Sequence, residues 1–344
     1  MKGFPYPTAP SGWFQVGWAD DLQPGGVRRM RYFGQDLVLF RGGDGGYRTV
    51  EAYCGHLGAD LGAGGTVRGD DIVCPFHGWA WDGQGRNVDI PYSARPVKTC
   101  LRSYPTRTAN GVVLVWHHPD GAPPTWEPPT LPEFEHPDYL PAQPHAVKLW
   151  AGVRFQPQVV AENTVDPMHF HYVHRAPRST AIEKFETEGP YAYVLHEYPY
   201  GREGAELTPG GTIAGRLEIE VWGVGLICFR MMDYVEAAQF VCSTPIDAET
   251  SDVFFSMWQK RGPDAVPGSP PDQREQRVFE EQIRQTEMDF PIWSNMRYTL
   301  RAPIVREESP TYQNFRKWSR QFYVPAEVEA AQESVQGSAR EVAP

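Results

Sequence analysis

Two short segments of the chain each combine one cysteine with one histidine. Cys54 and His56 form the first pair, and Cys74 and His77 follow after seventeen intervening residues. Two thiolates and two imidazoles suit a [2Fe–2S] cluster in which cysteines hold one iron and histidines hold the other. Neutral imidazole ligands raise the reduction potential of such a cluster. The sequence therefore predicts a one-electron centre that accepts electrons from mild donors.

A tetrahedral zinc site also uses two cysteines and two histidines, and it is the alternative interpretation. Zinc sites more often take both cysteines from one loop and both histidines from another. In this chain each loop supplies one ligand of each type, and the second loop runs from Cys74 to Trp79. The mixed loops favour the iron–sulfur interpretation, and the two segments resemble the Rieske ferredoxin motif.

A second group of possible metal ligands lies within residues 162–174. It contains His169, His171 and His174, preceded by an amide at Asn163 and a carboxylate at Asp166. Spacing alone does not select the ligands, because residues three apart share a face of a straight helix whereas residues five apart do not. A turn distorted by the proline in this segment would place residues five apart, such as His169 and His174, on the same face. An amphipathic helix with surface imidazoles is the alternative.

Composition excludes several classes of function. The chain has 344 residues, and its net charge of −11 argues against a nucleic-acid partner, because a phosphate backbone requires a basic surface. No apolar run approaches the roughly 18 residues that span a bilayer, and the N-terminus lacks the apolar stretch of a secretory signal. Cys100, Cys228 and Cys242 are interpreted as buried free thiols rather than as disulfide partners. These features predict a cytoplasmic protein without a membrane span.

The glycine-rich stretches 42–46 and 62–65 carry no G-x-G-x-x-G motif between a strand and a helix. They are therefore interpreted as turns rather than as a cradle for a nucleotide. Without a site for NAD or flavin, the electrons must come from another protein.

The pattern of apolar residues divides the chain into four parts. Short apolar runs between glycine-rich turns predict an all-β domain at 1–118. Nine prolines in residues 119–144 predict an extended connector. Strand and helix patterns predict an α+β domain at 145–324, with an antiparallel sheet wrapped round a long helix. Residues 325–344 form a polar tail, either a frayed helix or disordered.

Periodicity places the elements of the α+β domain. It predicts a helix over 161–174 and a second, longer helix over 272–298. Strands are predicted at 217–222, 229–241 and 253–258. Apolar side chains of these strands could line a pocket or belong to the ordinary core: Trp222, Leu226, Phe229, Met231, Met232 and Phe240.

The spacing Asn-x-x-Asp-x-x-His-x₄-His downstream of the cysteine–histidine loops resembles the catalytic domain of Rieske non-haem iron oxygenases. Together with the run at 315–323, it is most similar to the branch of 3-ketosteroid 9α-hydroxylases and cholesterol desaturases. The resemblance implies that His169 and His174 bind a mononuclear Fe(II). It implies that Asp166 bridges to the Rieske site of a neighbouring subunit and that Asn163 lies close to the iron. His171 departs from the family pattern.

A triad of two histidines and one carboxylate needs a further acid. The resemblance favours Asp289 over Glu287, and the alternative is a solvated acid on the surface of a helix. Pro291 is predicted to break or kink the helix just beyond this ligand.

The resemblance implies the terminal oxygenase component of a multicomponent Rieske monooxygenase with a helix-grip-type catalytic domain. Such an enzyme uses O2 and electrons from an NAD(P)H-dependent reductase or ferredoxin, forms a homotrimer, and hydroxylates a bulky hydrophobic substrate, steroid-like or polycyclic. Two alternatives remain open at this point. One is a hydroxylase or O-demethylase of small aromatic acids, and the other is a non-enzymatic Rieske electron carrier with a ligand-binding module.

Overall fold

The computed structural model describes residues 3–201, 210–233, 235–262, 265–266, 268–308 and 310–341. Antiparallel strands dominate the fold, and the described helices are few. The strands are β1 (Gly12–Trp18), β2 (Val27–Tyr32), β3 (Gln35–Arg41), β4 (Tyr47–Glu51), β5 (Thr66–Arg68), β6 (Asp71–Val73), β7 (Ala80–Trp81), β8 (Asn87–Asp89), β9 (Ser103–Tyr104), β10 (Thr106–Ala109), β11 (Val112–His117), β12 (Tyr139–Leu140), β13 (Val147–Val153), β14 (Ala181–Glu188), β15 (Tyr191–Tyr200), β16 (Ile213–Trp222), β17 (Leu226–Met232), β18 (Ala237–Pro245) and β19 (Ser251–Lys260). The helices are α1 (Pro157–Asn163), α2 (His169–Tyr172), α3 (Gln273–Asn295), α4 (Thr311–Ser319) and α5 (Pro325–Glu341), with a 3₁₀ turn at Arg320–Phe322.

Three small antiparallel sheets form the N-terminal part. Their strand orders are β1-β11-β10, β2-β3-β4-β9 and β5-β6-β7-β8. The apolar run Leu37–Phe40 in β3 is completely buried, as expected for a strand covered on both faces. The cysteine–histidine loops lie between β4 and β5 and between β6 and β7. A rigid set of short strands therefore carries both loops.

One large sheet forms the rest of the fold. Its order is β12-β19-β18-β17-β16-β15-β14, and β13 also pairs with β19. In β16 the buried residues Leu217, Ile219 and Val221 alternate with partly exposed ones, so one face of the strand faces the core. The predicted strands at 217–222 and 253–258 fall within β16 and β19, whereas the single segment 229–241 divides into β17 and β18.

The long helix α3 begins with a capping box. The Asp272 side chain accepts the backbone N–H of Glu275, and the Glu275 carboxylate accepts the backbone N–H of Asp272. The helix passes through Pro291 and ends at Asn295, so the predicted helix break does not occur. Phe290 packs edge-on against Trp150 of β13, which holds α3 against the sheet.

The predicted continuous helix over 161–174 is wrong. The chain forms α1 up to Asn163 and the short α2 from His169, with an irregular turn between them. Two features of the turn explain the interruption. Pro167 lacks an N–H for a helical hydrogen bond. The Asp166 side chain instead accepts the backbone N–H groups of Met168 and His169, at 2.9 and 3.2 Å.

Two of the small sheets, those containing β1 and β3, pack directly on the large one. Trp13 and Phe14 of β1 share a hydrophobic cluster with Leu226 of β17 and Phe240 of β18. The indole N–H of Trp18 also donates to Ser256 Oγ at 2.9 Å. This shared cluster fixes the N-terminal part against one face of the large sheet.

The division at 1–118, 119–144, 145–324 and 325–344 stays a prediction. Within the proline-rich segment the structure contains β12, which pairs with β19. The segment from Pro325 to Glu341 is helical as α5, and residues 342–344 lie outside the described part. Among the described helices, none combines the length and the apolar character that a bilayer crossing requires.

A buried histidine at the end of β11 predicts a loss of stability in acid. Burial lowers the pKa of His117 to about 4, although its Nδ1 lies 2.9 Å from the Pro10 carbonyl oxygen. The unfolded chain binds this proton near pH 6.5, so the free energy of unfolding falls by about 1.4 kcal/mol per pH unit between about 6.5 and 4. The melting temperature should therefore fall between pH 7 and pH 5. We expect a shallower fall in His117→Gln, and an unchanged pH dependence in that variant would contradict this assignment.

Candidate metal centres

The two cysteine–histidine loops share one backbone conformation. The N–H of Cys54 donates to the carbonyl of Ala59, and that of Cys74 donates to the carbonyl of Trp79, each at 2.8 Å. Each cysteine carbonyl accepts the N–H of the glycine four residues later, which is Gly58 at 2.9 Å and Gly78 at 3.1 Å. The repeated hydrogen bonds fold both loops into the same tight turn.

Glycine is required at the ends of these turns. Gly58 and Gly78 have φ values of 74° and 73°, which L residues with side chains rarely adopt. At Gly78 a Cβ would also lie 2.9 Å from Pro91 Cγ. The loops therefore owe their shape to these glycines as well as to the cysteines.

The four side chains of the loops converge. The rings of His56 and His77 have centroids 4.9 Å apart, and both thiols are buried. His56 stacks on Trp79 with ring centroids 4.4 Å apart. The Trp79 indole in turn donates to the Tyr92 hydroxyl at 2.7 Å. This chain of contacts fixes the orientation of the His56 ring.

Two properties of these side chains fit a bound cluster. Within the described part of the chain, the buried Nδ1 atom of His77 has no hydrogen-bond partner. Such an atom costs free energy unless something binds it. Burial also raises the pKa of the Cys54 thiol, and the neighbouring Cys74 thiol adds to this effect. Iron coordination would relieve both penalties.

A second constellation joins α2 with α3. One donor atom from each of His169, His174 and Asp289 lies within 4.8 Å of the other two. His174 Nε2 lies 3.4 Å from Asp289 Oδ2, and both side chains are only 8% exposed. The arrangement fits a site with two histidines and one carboxylate, the facial set that binds non-haem iron with open positions.

The His169 ring is already oriented for metal binding. Its Nδ1 lies 2.6 Å from the Asp166 carbonyl oxygen, to which it donates. Its Nε2 faces the site, 3.0 Å from the Asn163 side-chain nitrogen. Burial lowers the pKa of His169 to about 4, so the ring is neutral. A neutral ring whose Nδ1–H is bound by a carbonyl presents Nε2 as the ligand.

His174 completes the fit to a metal ion. Its Nε2 is the ring nitrogen that faces the other ligands, since it lies 3.4 Å from Asp289 Oδ2. His171, by contrast, is exposed and lies 2.7 Å from the Ala176 carbonyl oxygen through Nδ1. Glu287 is exposed as well and accepts the indole N–H of Trp150 at 2.8 Å. Of the candidate ligands, the structure therefore brings together His169, His174 and Asp289.

Asp166 and its loop are held from several directions. Burial raises the pKa of the Asp166 carboxyl, while its hydrogen bonds from backbone N–H groups act in the opposite direction. His196 Nε2 lies 2.9 Å from the carbonyl oxygen of Thr164. His196 Nδ1 lies 3.0 Å from the hydroxyl of Thr180. The backbone N–H of Thr180 donates in turn to the carbonyl of Pro167. The sheet thus positions the loop through β15.

The sequence analysis missed a buried carboxylate beside Asn163. Glu162 is 3% exposed, and its oxygens accept hydrogen bonds from Gln158, Tyr298, Tyr312 and Arg316. Arg316 binds one oxygen twice, through Nε at 3.0 Å and Nη2 at 2.8 Å. This Glu162 network connects α1, and with it Asn163, to helix α4. The sequence offered two signals for this network. They are the acid that precedes Asn163 and the cation in the run at 315–323.

A cavity of about 780 Å³ opens beside the second constellation. His169, His174 and Asp289 lie in its wall, and Asn163 also contacts it. Of the candidate pocket residues, Phe229 and Met231 line the cavity. Leu226 and Phe240 instead belong to the cluster behind the sheet, because alternate residues of a strand face opposite sides.

Comparison with known families gives two adjacent matches. Residues 12–105 match the Rieske [2Fe-2S] domain, and residues 115–323 match the 3-ketosteroid 9alpha-hydroxylase C-terminal domain. A 3-ketosteroid-9-alpha-monooxygenase oxygenase component of Rhodococcus rhodochrous is 30% identical over 336 residues, which cover 92% of this chain and 82% of the relative. A cholesterol 7-desaturase of Xenopus laevis is 27% identical over 347 residues, covering 94% of this chain and 74% of that protein.

Solved structures show the same fold at lower identity. Dicamba monooxygenase bound to 3,6 dichlorosalicylic acid is 18% identical with a TM-score of 0.68, and the match covers 93% of this chain and 98% of that one. NdmA of Pseudomonas putida with caffeine is 18% identical with a TM-score of 0.71, covering 90% and 89%.

Proposed function

Because the chain belongs to the Rieske oxygenases that carry a 3-ketosteroid 9alpha-hydroxylase C-terminal domain, we propose that it hydroxylates a bulky, steroid-like substrate. In this proposal it is the oxygenase component of a multicomponent monooxygenase. The single observation that carries the proposal is the cavity of about 780 Å³ beside His169, His174 and Asp289. Its volume lies within the usual range of about 300–1,000 Å³ for small-molecule sites.

Family membership confirms several predictions from the sequence. The predicted family, the α+β class, the enzymatic character and the two iron cofactors are confirmed. The match to the Rieske domain favours the [2Fe–2S] interpretation of the cysteine–histidine loops over zinc. The interpretation as a non-enzymatic electron carrier is wrong, because the relatives are monooxygenases. An oxygenase component requires O2 and a separate electron-donating protein.

The side chains have distinct roles in the proposal. Cys54, His56, Cys74 and His77 hold the cluster, and His169, His174 and Asp289 hold the iron. When bound, these groups supply one-electron transfer and the activation of O2. The protein orients the iron ligands through the Asp166 carbonyl and the Glu162 network, and the cavity beside them positions the substrate.

We propose a homotrimer, which agrees with two separate exposed apolar regions. Leu57, Phe76 and Tyr92 are exposed at the cysteine–histidine loops, at 67%, 61% and 64%. Tyr172 of α2 and Ile292 of α3 are exposed at 78% and 49%, close in sequence to the iron ligands. Two different apolar regions suit a head-to-tail contact between subunits, and such contacts close into rings. The cytoplasmic location stays a prediction.

One observation favours the second candidate, the aromatic-acid oxygenase. Arg175 follows His174 directly, lines the cavity and is exposed. Arg284 also lines the cavity but pairs with Glu281. A guanidinium beside the iron site could hold the carboxylate of a small aromatic acid.

A substrate panel combined with metal analysis tests the proposed function. Purified protein should contain about three iron atoms and about two sulfides per chain. With a surrogate reductase and isotopically labelled O2, we expect steroids to gain one labelled oxygen atom, detected by mass spectrometry. About two irons and two sulfides would contradict the oxygenase assignment. If aromatic acids were converted and no steroid product formed, the second candidate, an aromatic-acid oxygenase, would be correct instead.

A further inference from the structure

The two histidines of the cysteine–histidine loops have different neighbours. His56 lies flat against the indole of Trp79, with ring planes only 4° apart and centroids 4.4 Å apart. Trp79 is buried, so it covers one face of the His56 ring from the interior. His77 instead contacts Phe76, whose ring is tilted by 39° and exposed. Of the two histidines, His56 is therefore the one that stacks on a buried aromatic ring.

Trp79 is held in this position by contacts on two sides. Its indole N–H donates to the hydroxyl of Tyr92 at 2.7 Å. Its ring also packs against Trp81, which is completely buried, with centroids 6.0 Å apart. A hydrogen bond donated by the indole polarises the ring and increases the electron density on its face. Tyr92 therefore both fixes the Trp79 ring and makes its face more negative.

The stack on His56 affects how readily the proposed cluster takes up an electron. Neutral imidazole ligands favour reduction, so the iron held by His56 and His77 is the one expected to carry the added electron. The face of an indole ring carries negative charge and repels a further negative charge beside it. The ring also keeps water, which stabilises charge, away from this face of His56. Both effects disfavour the reduced cluster, so they lower its midpoint potential.

We propose that Trp79 and Tyr92 form a redox clamp, which lowers the midpoint potential of the cluster and makes its electron easier to pass on. The step is the uptake of one electron from the electron-donating protein and its later release, and no bond is formed or broken. The redox clamp acts through His56, so both of its members are positioning residues. This inference rests on the proposed cluster ligands and is independent of the proposed substrate.

Redox titration of the protein with its cluster bound tests the redox clamp, with the visible spectrum of the cluster as the signal. Trp79→Leu removes the aromatic face. We expect its midpoint potential to rise by an amount equal to about a tenfold change in the equilibrium constant for reduction, or about 59 mV for one electron. Tyr92→Phe should raise the potential by less, because it removes the hydroxyl and keeps the ring of the proposed subunit contact.

Tyr53→Phe is the matched control for Tyr92→Phe. Tyr53 is an exposed tyrosine of the first cysteine–histidine loop, and its hydroxyl donates to Asp36 Oδ2 at 2.9 Å. The control therefore removes the same chemical group from the same region and leaves the stack of Trp79 on His56 intact. Its midpoint potential should equal that of the unchanged protein.

Iron and sulfide contents show whether each variant has its cluster. An unchanged or lower potential in a variant with full iron and sulfide would overturn the role given to its residue. If Trp79→Leu assembled no cluster, Tyr92→Phe alone would decide, and an unchanged potential there would overturn the redox clamp. A rise of the same size in Tyr53→Phe would overturn it as well. If the unchanged protein held no [2Fe–2S] cluster, the proposed ligands and the redox clamp would both be wrong, whereas the proposed substrate has no influence on these potentials.

Discussion

The substitution His169→Ala is expected to abolish product formation while the spectrum of the [2Fe–2S] cluster stays unchanged. His169 supplies one of the three donor atoms that lie within 4.8 Å of one another, so its loss leaves only two protein ligands. The cysteine–histidine loops lie in a different sheet and make no use of this side chain. Iron content should fall from about three to about two atoms per chain, with sulfide unchanged. Iron analysis and the visible spectrum measure both quantities.

The matched control for this experiment is His171→Ala. His171 lies on the same short helix but is exposed, and its Nδ1 interacts with the Ala176 carbonyl rather than with the site. This variant should keep its third iron and convert substrate. Loss of the third iron in His171→Ala, or its retention in His169→Ala, would show that the ligands are wrongly assigned.

The second expected result concerns Asp166→Asn. This variant should keep both metal centres and lose turnover by about tenfold to a hundredfold, the usual effect of a partner one step beyond the ligands. Asparagine retains a side-chain oxygen that can accept the N–H groups of Met168 and His169, so the turn is preserved. The substitution removes the negative charge, and the amide oxygen that remains is a weaker acceptor than a carboxylate oxygen. Steady-state rates at constant iron and sulfide content measure this effect.

Asp166→Ala is the less informative variant, and the structure gives the reason. Alanine removes the charge and also the oxygen that caps the turn leading into α2. A loss of iron in Asp166→Ala would therefore reflect the turn rather than the charge. Turnover at the original rate in Asp166→Asn, with both metals present, would refute a role for this carboxylate in connecting the two sites.

The cysteine–histidine loops could be predicted because their chemistry fixes both residue type and local spacing. Cys54, His56, Cys74 and His77 occupy two tight turns that a few neighbouring residues determine, glycines included. Asp289 is different, since it lies 115 positions beyond His174 and only tertiary structure brings the two together (289 − 174). Its choice over Glu287 depended on the resemblance to a family.

Periodicity failed where side chains compete with the helix. A continuous helix over 161–174 agrees with the apolar pattern, but the pattern does not register that Asp166 and Pro167 divert backbone hydrogen bonds. The prediction at Pro291 failed in the opposite way, because a helix break was expected there and the helix continues. There, packing of α3 on the sheet through Phe290 maintains the helix despite the missing N–H.

Pairs far apart in sequence lay beyond prediction. Gln239 and Gln282 meet because β18 and α3 form opposite walls of one cavity, and neither residue belongs to a motif. Glu162 likewise meets Tyr298, Tyr312 and Arg316, which come from segments more than 130 positions further along the chain.

Because of the Glu162 network, ordering of the proposed iron site depends on how much of the chain has been synthesised. Domains form progressively from the N-terminus during synthesis. A nascent chain that has reached residue 289 already carries every proposed iron ligand, but it still lacks Tyr298, Tyr312 and Arg316. At that stage the Glu162 carboxylate has no cation to neutralise it and cannot be buried at low cost. We therefore expect the segment between Asn163 and His169 to become rigid, and the proposed ligands to bind iron tightly, only once α4 has been made.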